Sequence, residues 1–410
     1  MSVTSEPVRS QMVQEGSTGA GLLPDPEPRV IKYTVISVDD HLVEPPDMFE
    51  GRLPDRFADL APRIVENEHG HQLWEFDGQR YTQVGMNAVA GRRPESVTLE
   101  PTRFEDMRRG CWDIHERIRD MDINGVWASL NFPSQITGFC GRVFSGATDP
   151  ELGVAVTRAW NDWLYEGWWQ PYPDRIIPCG ITILSDPELG ADEIRRNAAR
   201  GFRSVTLPER PHRIGLPSIF TSYWDPIVAA CEETDTVISL HVGSSGMGDL
   251  PMDSPMVALG ATLFGQLSLT ACAEWLWSGL PVRFPGVKVA MSEGGIGWVA
   301  MLLDRLDNIV DRSGYGNQFA GGLLRPSDVL QRNFWFCTID DPSTICTRDR
   351  IGVDHVMVEV DYPHGDSTWP DTQQVIDREW GHLPVADLRK MTHENAARLY
   401  RWPLPEVCLP

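Results

Sequence analysis

The sequence has no closely spaced cysteine pair, no long apolar run and few basic residues for its size. Its eight cysteines are scattered, and none forms a C-x-x-C pair, which argues against a disulfide framework and against a thiolate metal site. No run approaches the roughly eighteen apolar residues that a transmembrane helix needs. The N-terminus also lacks the basic and then apolar layout of a signal peptide. These absences predict a cytoplasmic protein with reduced thiols.

Basic residues are too few for a protein that binds a nucleic-acid backbone. The chain carries 36 Lys and Arg against 58 Asp and Glu, a formal net charge of −22. Phosphate backbones and anionic membranes repel a protein of this charge. We therefore expect a small-molecule substrate, with neither nucleic acid nor a membrane as a partner.

Short apolar runs alternate with helical patterns over most of the chain. Before them, residues 1–29 are polar and rich in Gly, Ser and Pro, which predicts a flexible tail. Several of the runs are continuously apolar, as in parallel strands that are covered on both faces. The predicted strands lie near Tyr33–Val38, Val126–Leu130, Ile176–Ile183, Phe202–Leu207, Thr236–His241, Val287–Met291, Phe334–Ile339 and His355–Val360. Eight alternations predict an α/β fold, a (β/α)8 TIM barrel that occupies residues 30–405 as a single domain.

One long segment after the first strand breaks this alternation. Residues 45–102 contain HQLWEFDGQRY, in which Asp77-Gly78 lies between aromatic runs and predicts a β-hairpin. We interpret the segment as a lid insertion over the mouth of the barrel. Four of its six arginines are candidate partners for a substrate carboxylate, with a surface position as the alternative; they are Arg52, Arg80, Arg92 and Arg93.

Ionisable residues cluster where the predicted strands end, which is where a barrel places its catalytic groups. The first strand ends in Asp39-Asp40-His41, the fifth in His241 and the eighth in Asp361. Alternation along a strand points Asp39 and His41 the same way, as two ligands from one strand require. Aspartate and imidazole without thiolate suit Zn²⁺, Mn²⁺ or Fe²⁺. The pattern predicts one divalent ion, with zinc as the first choice, bound by Asp39, His41, His241 and Asp361.

Each of these residues also has a purely structural interpretation. An Asp-Asp-His turn is often a solvated loop, and His241 after an apolar strand is often a hydrogen-bonded core histidine. Asp361 could belong to a turn that ends a strand, and Glu293 in SEGG could cap a helix. The metal site is favoured because four such coincidences, on the first, fifth, sixth and eighth strands, would otherwise be needed.

In combination the motifs resemble the amidohydrolase-related (amidohydrolase 2) family and its aminocarboxymuconate-semialdehyde decarboxylase-like branch. The resemblance rests on Asp39-x-His41-x-x-Glu44-Pro45, His241-Val-Gly, Ser-Glu293-Gly-Gly, Asp361-Tyr-Pro-His364 and ENAARLY near the C-terminus. It implies a barrel with one divalent metal deep in its mouth, commonly in a homodimer. It also implies that Asp39, His41, His241 and Asp361 stand where the family has its ligands.

Two features depart from the family pattern. Members carry His-x-His or Glu-x-His on the first strand, so Asp39 matches either the first ligand or the aspartate that precedes the pair. In the second alignment Val43 replaces a ligand and Glu44 compensates for it. At the sixth strand this chain has Glu293, where the decarboxylase-like members usually have a histidine. Candidates for residues that support the ligands are Glu44, Ser244 and Asp340.

A carboxylate on the sixth strand is suited to act as a general base and less suited to bind an anionic substrate. We therefore favour a hydrolase in which the metal activates a water, Glu293 or Asp361 removes its proton, and His364 assists the leaving group. The substrate would be an amide, an ester or a compound with a carbon–carbon bond next to a ketone. The alternative is non-oxidative decarboxylation of an aromatic or unsaturated acid. A second alternative is a catalytically silent barrel scaffold.

Overall fold

Short parallel strands form the centre of the protein, as the alternating pattern predicts. The computed structural model describes residues 21–85, 87–93, 101–313, 319–338 and 341–410. Each of the eight predicted barrel strands is present in these residues, and the third is split in two. In chain order the strands are β1 Ile36–His41, β2 Arg63–Glu66, β3 Gln72–Phe76, β4 Gln79–Tyr81, β5 Ala128–Phe132, β6 Ile176–Ile177, β7 Cys179–Gly180, β8 Ser204–Leu207, β9 Val237–His241, β10 Val289–Ser292, β11 Phe334–Thr338 and β12 Val356–Val358.

The barrel strands form two parallel sheets, which meet at two seams: one between β6 and β7, and the other between β12 and β1. β1, β5 and β6 pair in parallel, and so do β7 to β12 in sequence order. β6 and β7 are pieces of one strand on either side of Pro178, which has no N–H to donate to a ladder. At the other seam, the Asp361 N–H donates to the Asp39 carbonyl at 2.8 Å and the His41 N–H donates to the Tyr362 carbonyl at 2.7 Å. The predicted (β/α)8 fold is confirmed.

Helices follow the strands and surround them. Helix α4 shows how the sequence sets their ends: the Asp186 side chain accepts the N–H groups of Glu188 and Leu189, and Gly201 ends the helix in the left-handed conformation. The helices are α1 Ile114–Asn124, α2 Arg142–Ser145, α3 Pro150–Trp163, α4 Pro187–Arg200, α5 Asp225–Thr234, α6 Met256–Thr262, α7 Phe264–Trp277, α8 Leu280–Arg283, α9 Gly297–Arg312, α10 Pro326–Asn333, α11 Arg348–Ile351, α12 Thr372–Trp380, α13 Val385–Arg389 and α14 Asn395–Tyr400. In the described chain no single helix is long and apolar enough to cross a membrane; α6 and α7 together, bent by 51°, pass that test by length and composition only.

Apolar side chains fill the barrel below the strand ends. Ile36 and Val38 of β1 belong to one buried cluster with Leu399 and Tyr400 of α14. The ENAARLY segment that contributes to the family resemblance therefore packs against the start of the first strand. Because apolar residues occupy this end, the polar residues that follow them on β1 lie at the opposite end of the strand.

The insertion after the first strand contains a small antiparallel sheet of β2, β3 and β4. Asp77 and Gly78 join β3 to β4, and both have a positive φ, so the predicted hairpin is confirmed. The N–H groups of Val89 and Ala90 both donate to the Pro363 carbonyl at 2.9 Å. The insertion therefore contacts the loop after the eighth barrel strand.

The predicted N-terminal tail is described only in part. Residues 1–20 lie outside the described residues. Within residues 21–29, the Arg29 Nε atom lies 2.8 Å from Asp371 Oδ1. The flexibility of residues 1–29 stays a prediction.

Candidate metal centre

Asp39 and His41 reach the site from the end of β1, in which every residue is buried. His41 Nε2 lies 3.5 Å from Asp39 Oδ1, so the two side chains face the same space. Asp40 points elsewhere: its carboxylate accepts the Ser129 hydroxyl and, at 2.9 Å, the Tyr362 N–H. Burial raises the pKa of Asp40 to about 6. Asp40 therefore ties β1 to its two neighbours in the barrel.

His241, at the end of β9, completes a triangle of potential ligand atoms. Its Nε2 lies 2.9 Å from His41 Nε2 and 3.6 Å from Asp39 Oδ1. Its Nδ1 lies 2.7 Å from the Val242 carbonyl, so a proton on Nδ1 donates there and the Nε2 lone pair is free for an ion. Burial lowers the pKa of both histidines. Both are therefore neutral imidazoles, the form that binds metals.

Asp361 brings a second carboxylate from the end of the eighth strand. Its Oδ1 lies 3.3 Å from His41 Nε2 and 2.9 Å from His364 Nδ1. Its φ of +56° is left-handed, which is costly for a residue with a side chain. The carboxylate oxygens of Asp361 and Asp39 are all buried without a hydrogen-bond partner in the described chain. Unsatisfied buried carboxylates of this kind are stabilised when they bind a cation.

Asp39, His41 and His241 form one set of ligand atoms that could hold a divalent ion, and His41, Asp361 and His364 form a second set that shares His41. Four ligand atoms at about 2.1 Å from a tetrahedral ion lie about 3.4 Å from one another. Four of the six separations among Asp39, His41, His241 and Asp361 are given above, and they run from 2.9 to 3.6 Å. Burial and neighbouring carboxylates also raise the pKa of Asp39 and of Asp361 well above the usual range. A divalent cation would offset that repulsion, so the residues present suit the ion that the sequence predicts.

Glu293 faces the same space from the turn that follows β10. Its Oε2 lies 3.5 Å from His241 Nε2, and its Oε1 lies 3.8 Å from His364 Nδ1. An oxygen of Asp366 lies within 4.8 Å of one oxygen from Glu293 and one from Asp361. The structure thus brings together the predicted ligands and the predicted catalytic residues Glu293, His364 and Asp361.

Two buried glutamates near the site are absent from the sequence-based candidates. Glu359 accepts the Glu293 N–H on Oε2 at 3.0 Å, and burial raises its pKa to about 8. Glu209 follows the fourth barrel strand and accepts the Gly243 N–H at 3.0 Å; burial raises its pKa to about 7. Alternation along VEVD would have placed Glu359 on the same face as Asp361. Glu209 follows its strand without a comparable pattern in the sequence.

Aromatic rings flank the two histidine ligands. The Phe132 ring centroid lies 5.8 Å from that of His41 and 4.9 Å from that of His241. Phe139 lies 5.9 and 5.5 Å from the same two rings. A flat ligand that reaches the metal centre would lie beside these phenylalanines.

Glu44, which we considered as a replacement ligand, makes other contacts. Its Oε1 accepts the Ser134 N–H at 3.1 Å and the Trp160 indole N–H at 3.0 Å, and its Oε2 accepts the Ser134 hydroxyl. These bonds engage both carboxylate oxygens. The geometry therefore favours Asp39, rather than Glu44, as the partner of His41.

The other two supporting candidates contribute less to the site. Ser244 is buried, and its hydroxyl accepts the Glu209 N–H at 3.0 Å. It therefore joins the loops after the fourth and fifth strands. Asp340 lies outside the described residues.

Positive side chains are not paired with the site carboxylates in the described part of the chain. The ion pairs of Asp39, Glu293 and Asp361 there are all with histidines. The four candidate arginines of the insertion have other partners or are exposed: Arg52 pairs with Glu166, Arg80 pairs with Glu75, Arg92 donates to the Asp106 carbonyl, and Arg93 is exposed. The metal ion would therefore be the main positive charge for an anionic substrate.

Comparison with known families decides the class of the protein. A family model described as amidohydrolase matches residues 61–402. The chain belongs to the amidohydrolase family. The match confirms the resemblance that the motifs indicated, although it begins after the first-strand ligands. Family membership also supports an enzyme over the silent scaffold.

Solved structures with the same fold align with about nine-tenths of the chain. An amidohydrolase from Mycobacterium avium subsp. paratuberculosis has 22% identity and a TM-score of 0.71, over 90% of this chain and 100% of its own. The 5-carboxyvanillate decarboxylase of Sphingomonas paucimobilis has 21% identity and a TM-score of 0.63, over 90% and 100%. A dihydroxybenzoic acid decarboxylase from Polaromonas, with bound manganese and the inhibitor 2-nitroresorcinol, has 18% identity and a TM-score of 0.61, over 91% and 98%. At these identities the likeness establishes the fold.

Proposed function

We propose that this amidohydrolase-family enzyme releases CO2 from an aromatic or unsaturated carboxylic acid, with one divalent metal ion as its cofactor. From the sequence alone, Glu293 favoured hydrolysis and placed decarboxylation second. Decarboxylases of aromatic acids among the solved structures with this fold support the reverse order.

The observation that carries this proposal is the buried pair of His364 and Asp361. Decarboxylation breaks one carbon–carbon bond, and a proton then takes the place of CO2 on the same carbon. His364 Nδ1 lies 2.9 Å from Asp361 Oδ1, with 7% and 0% of the two side chains exposed. His364 can hold a proton at this buried position and transfer it to the carbon that loses the carboxylate.

Asp39, His41, His241 and Asp361 would hold the ion. When bound, the ion supplies positive charge for the substrate carboxylate and for a neighbouring hydroxyl or keto oxygen. Phe132 beside the two histidines favours a planar substrate. Zinc, our first choice from the sequence, and manganese, which three of the similar structures contain, both suit this ligand set.

Hydrolysis is the second candidate, and Glu293 favours it. The Glu293 carboxylate faces His241 and His364 at 3.5 and 3.8 Å, so it can accept a proton from a water that attacks a carbonyl carbon. His364 would then protonate the leaving group. The substrate would be an amide, an ester or a ketone with a cleavable neighbouring bond.

Isotope labelling separates the two reactions. Enzyme loaded with Mn²⁺ or Zn²⁺ is incubated with 5-carboxyvanillate, dihydroxybenzoates, and a panel of amides and esters. Decarboxylation in D2O releases CO2 and leaves one deuterium on the carbon that lost it, whereas hydrolysis in H2¹⁸O places ¹⁸O in the acid product. Turnover of an amide or ester, with no CO2 from any acid, would reverse our ranking. The variant His364→Gln should keep its metal and lose CO2 release.

The assembly and the location of the enzyme stay predictions. The family resemblance implies a homodimer, and the cysteine pattern predicts the cytoplasm. Light scattering of the purified protein measures the first, and fractionation of the source cells measures the second.

A further inference from the structure

The turn that carries Glu293 has a strained backbone conformation, which contacts with neighbouring residues must stabilise. The φ of Glu293 is +62°, in the left-handed region that side chains disfavour. The turn is also closely packed, since a side chain at the next residue, Gly294, would meet the Ser268 hydroxyl at 2.0 Å. A strained residue of this kind persists only where neighbouring groups determine its conformation.

Contacts after Glu293 fix only the second half of the turn. The Ile296 N–H donates to Asp341 Oδ2 at 3.2 Å, and the Trp298 indole N–H donates to the Gly294 carbonyl at 2.9 Å. Neither bond involves the N–H of Glu293. The strained residue itself therefore needs another partner.

Glu359 is that partner. Its Oε2 accepts the Glu293 N–H at 3.0 Å, and its side chain is buried with 1% exposure. Its Oε1 has no hydrogen-bond partner in the described chain. A buried and incompletely bonded carboxylate is costly, and an apolar residue would fill the same space without that cost. Packing alone therefore does not account for a glutamate at this position.

Glu359 also connects two strands whose ends carry site residues. It directly follows β12, the eighth barrel strand, two residues before Asp361, and its carboxylate reaches the turn after the sixth barrel strand. The Glu293 N–H is the last backbone group before the strained φ angle. Its bond to Glu359 thus sets the direction in which the Glu293 side chain leaves the turn.

We propose that Glu359 is a positioning residue for Glu293. Its carboxylate holds the Glu293 backbone in the left-handed conformation that directs the Glu293 carboxylate toward His241 and His364. The catalytic consequence rests on the proposed function of the site. The backbone restraint does not depend on which reaction the enzyme performs.

Two variants test the proposal. Glu359→Gln keeps an oxygen that accepts the N–H, whereas Glu359→Met has a similar length and no acceptor. Hydrogen exchange followed by mass spectrometry on the peptide of residues 289–298 should show about tenfold faster exchange of the Glu293 amide in E359M. E359Q should exchange nearly as the wild type does. Both should keep the wild-type metal content because the predicted ligands are unchanged. With a substrate in hand, kcat should fall in E359M at a nearly unchanged KM, and E359Q should restore most of it.

Glu193→Met is the matched control. Glu193 is a buried carboxylate remote from the site, bonded to Asn161 and Arg196. Its loss should leave exchange in residues 289–298 unchanged. Wild-type exchange of the Glu293 amide in E359M, or fast exchange in E359Q, would overturn the proposal. If exchange follows the prediction and no acid loses CO2, the restraint stands and the proposed function fails.

If the E359M variant does not fold, the same substitution is tested in a chain that also carries Glu293→Gly. Glycine adopts a positive φ without strain, so a Glu293→Gly chain should not need the restraint from Glu359. E359M is therefore expected to fold in the E293G background. A double variant that is also unfolded would contradict the proposal, because Glu359 would then act on something other than Glu293.

Discussion

Metal affinity should rise steeply with pH, because the ion would displace protons from two buried carboxylates. Burial, together with neighbouring carboxylates, raises the pKa of Asp39 and of Asp361 well above the usual range. Burial lowers the pKa of His41 and of His241, so these ligands are neutral at neutral pH and release no proton there. The proton release on binding therefore comes from the carboxylates.

The magnitude follows from proton linkage. Each proton released on binding changes the metal dissociation constant about tenfold per pH unit, or about 1.4 kcal/mol. Two carboxylates give up to about a hundredfold per pH unit, and Asp39→Asn or Asp361→Asn should reduce this to about tenfold. Competition with a chromophoric chelator between about pH 5.5 and 7.5 measures the slope. Asp59→Asn, which changes an exposed aspartate, should leave it as in the wild type.

The same shifts predict how stability depends on pH. A carboxyl whose pKa is raised by folding contributes stability that is complete below its unfolded pKa and is lost as pH rises through its folded pKa. The melting temperature of metal-free protein should therefore fall as pH rises from about 4 to neutral. Metal should oppose this fall, so that the melting temperature difference with and without metal grows with pH. Two results of the competition assay would refute the reasoning. One is a metal dissociation constant that changes less than about twofold between about pH 5.5 and 7.5; the other is a D39N variant whose dissociation constant changes with pH as steeply as that of the wild type.

Three further substitutions separate ligands from supporting residues. His241→Gln should weaken metal binding more than about 100-fold in the same competition assay, because substitutions of residues that only support a ligand already cost about 10- to 100-fold. Glu44→Ala should keep one equivalent of metal and lower the free energy of unfolding by about 1–3 kcal/mol, since Trp160 and Ser134 lose their acceptor; loss of metal would instead identify Glu44 as a ligand. Phe139→Ala should raise KM for an aromatic acid up to about tenfold, because a ring contact contributes about 0.5–1.5 kcal/mol. An unchanged KM in steady-state assays would show that Phe139 does not contact the substrate.

The parts of the site on regular strands could be predicted from the sequence. A continuous apolar run marks a barrel strand, and an ionisable residue at its end must lie in the mouth of the barrel. This reasoning applies to Asp39, His41, His241 and Asp361; the structure places the other three side chains 2.9–3.5 Å from His41 Nε2. Period-two alternation also separates Asp39 from Asp40, which lies on the other face.

The parts on turns could not be predicted in the same way. Glu44 follows the end of β1, where no periodicity fixes a direction, and its partners Ser134 and Trp160 are distant in sequence. Glu359 has the alternation of a strand, yet only the structure shows that it accepts the strained N–H of Glu293. Long-range hydrogen bonds of this kind depend on the packing of the barrel, which no local pattern encodes.

Anomalous X-ray diffraction from crystals soaked in Mn²⁺ tests the metal centre most directly. We predict a single strong peak in the mouth of the barrel, within about 2.0–2.3 Å of ligand atoms from Asp39, His41, His241 and Asp361. Crystals of His241→Gln soaked in the same way should lose most of the peak. A peak bound by other residues, or none at these four side chains at saturating Mn²⁺, would contradict the account.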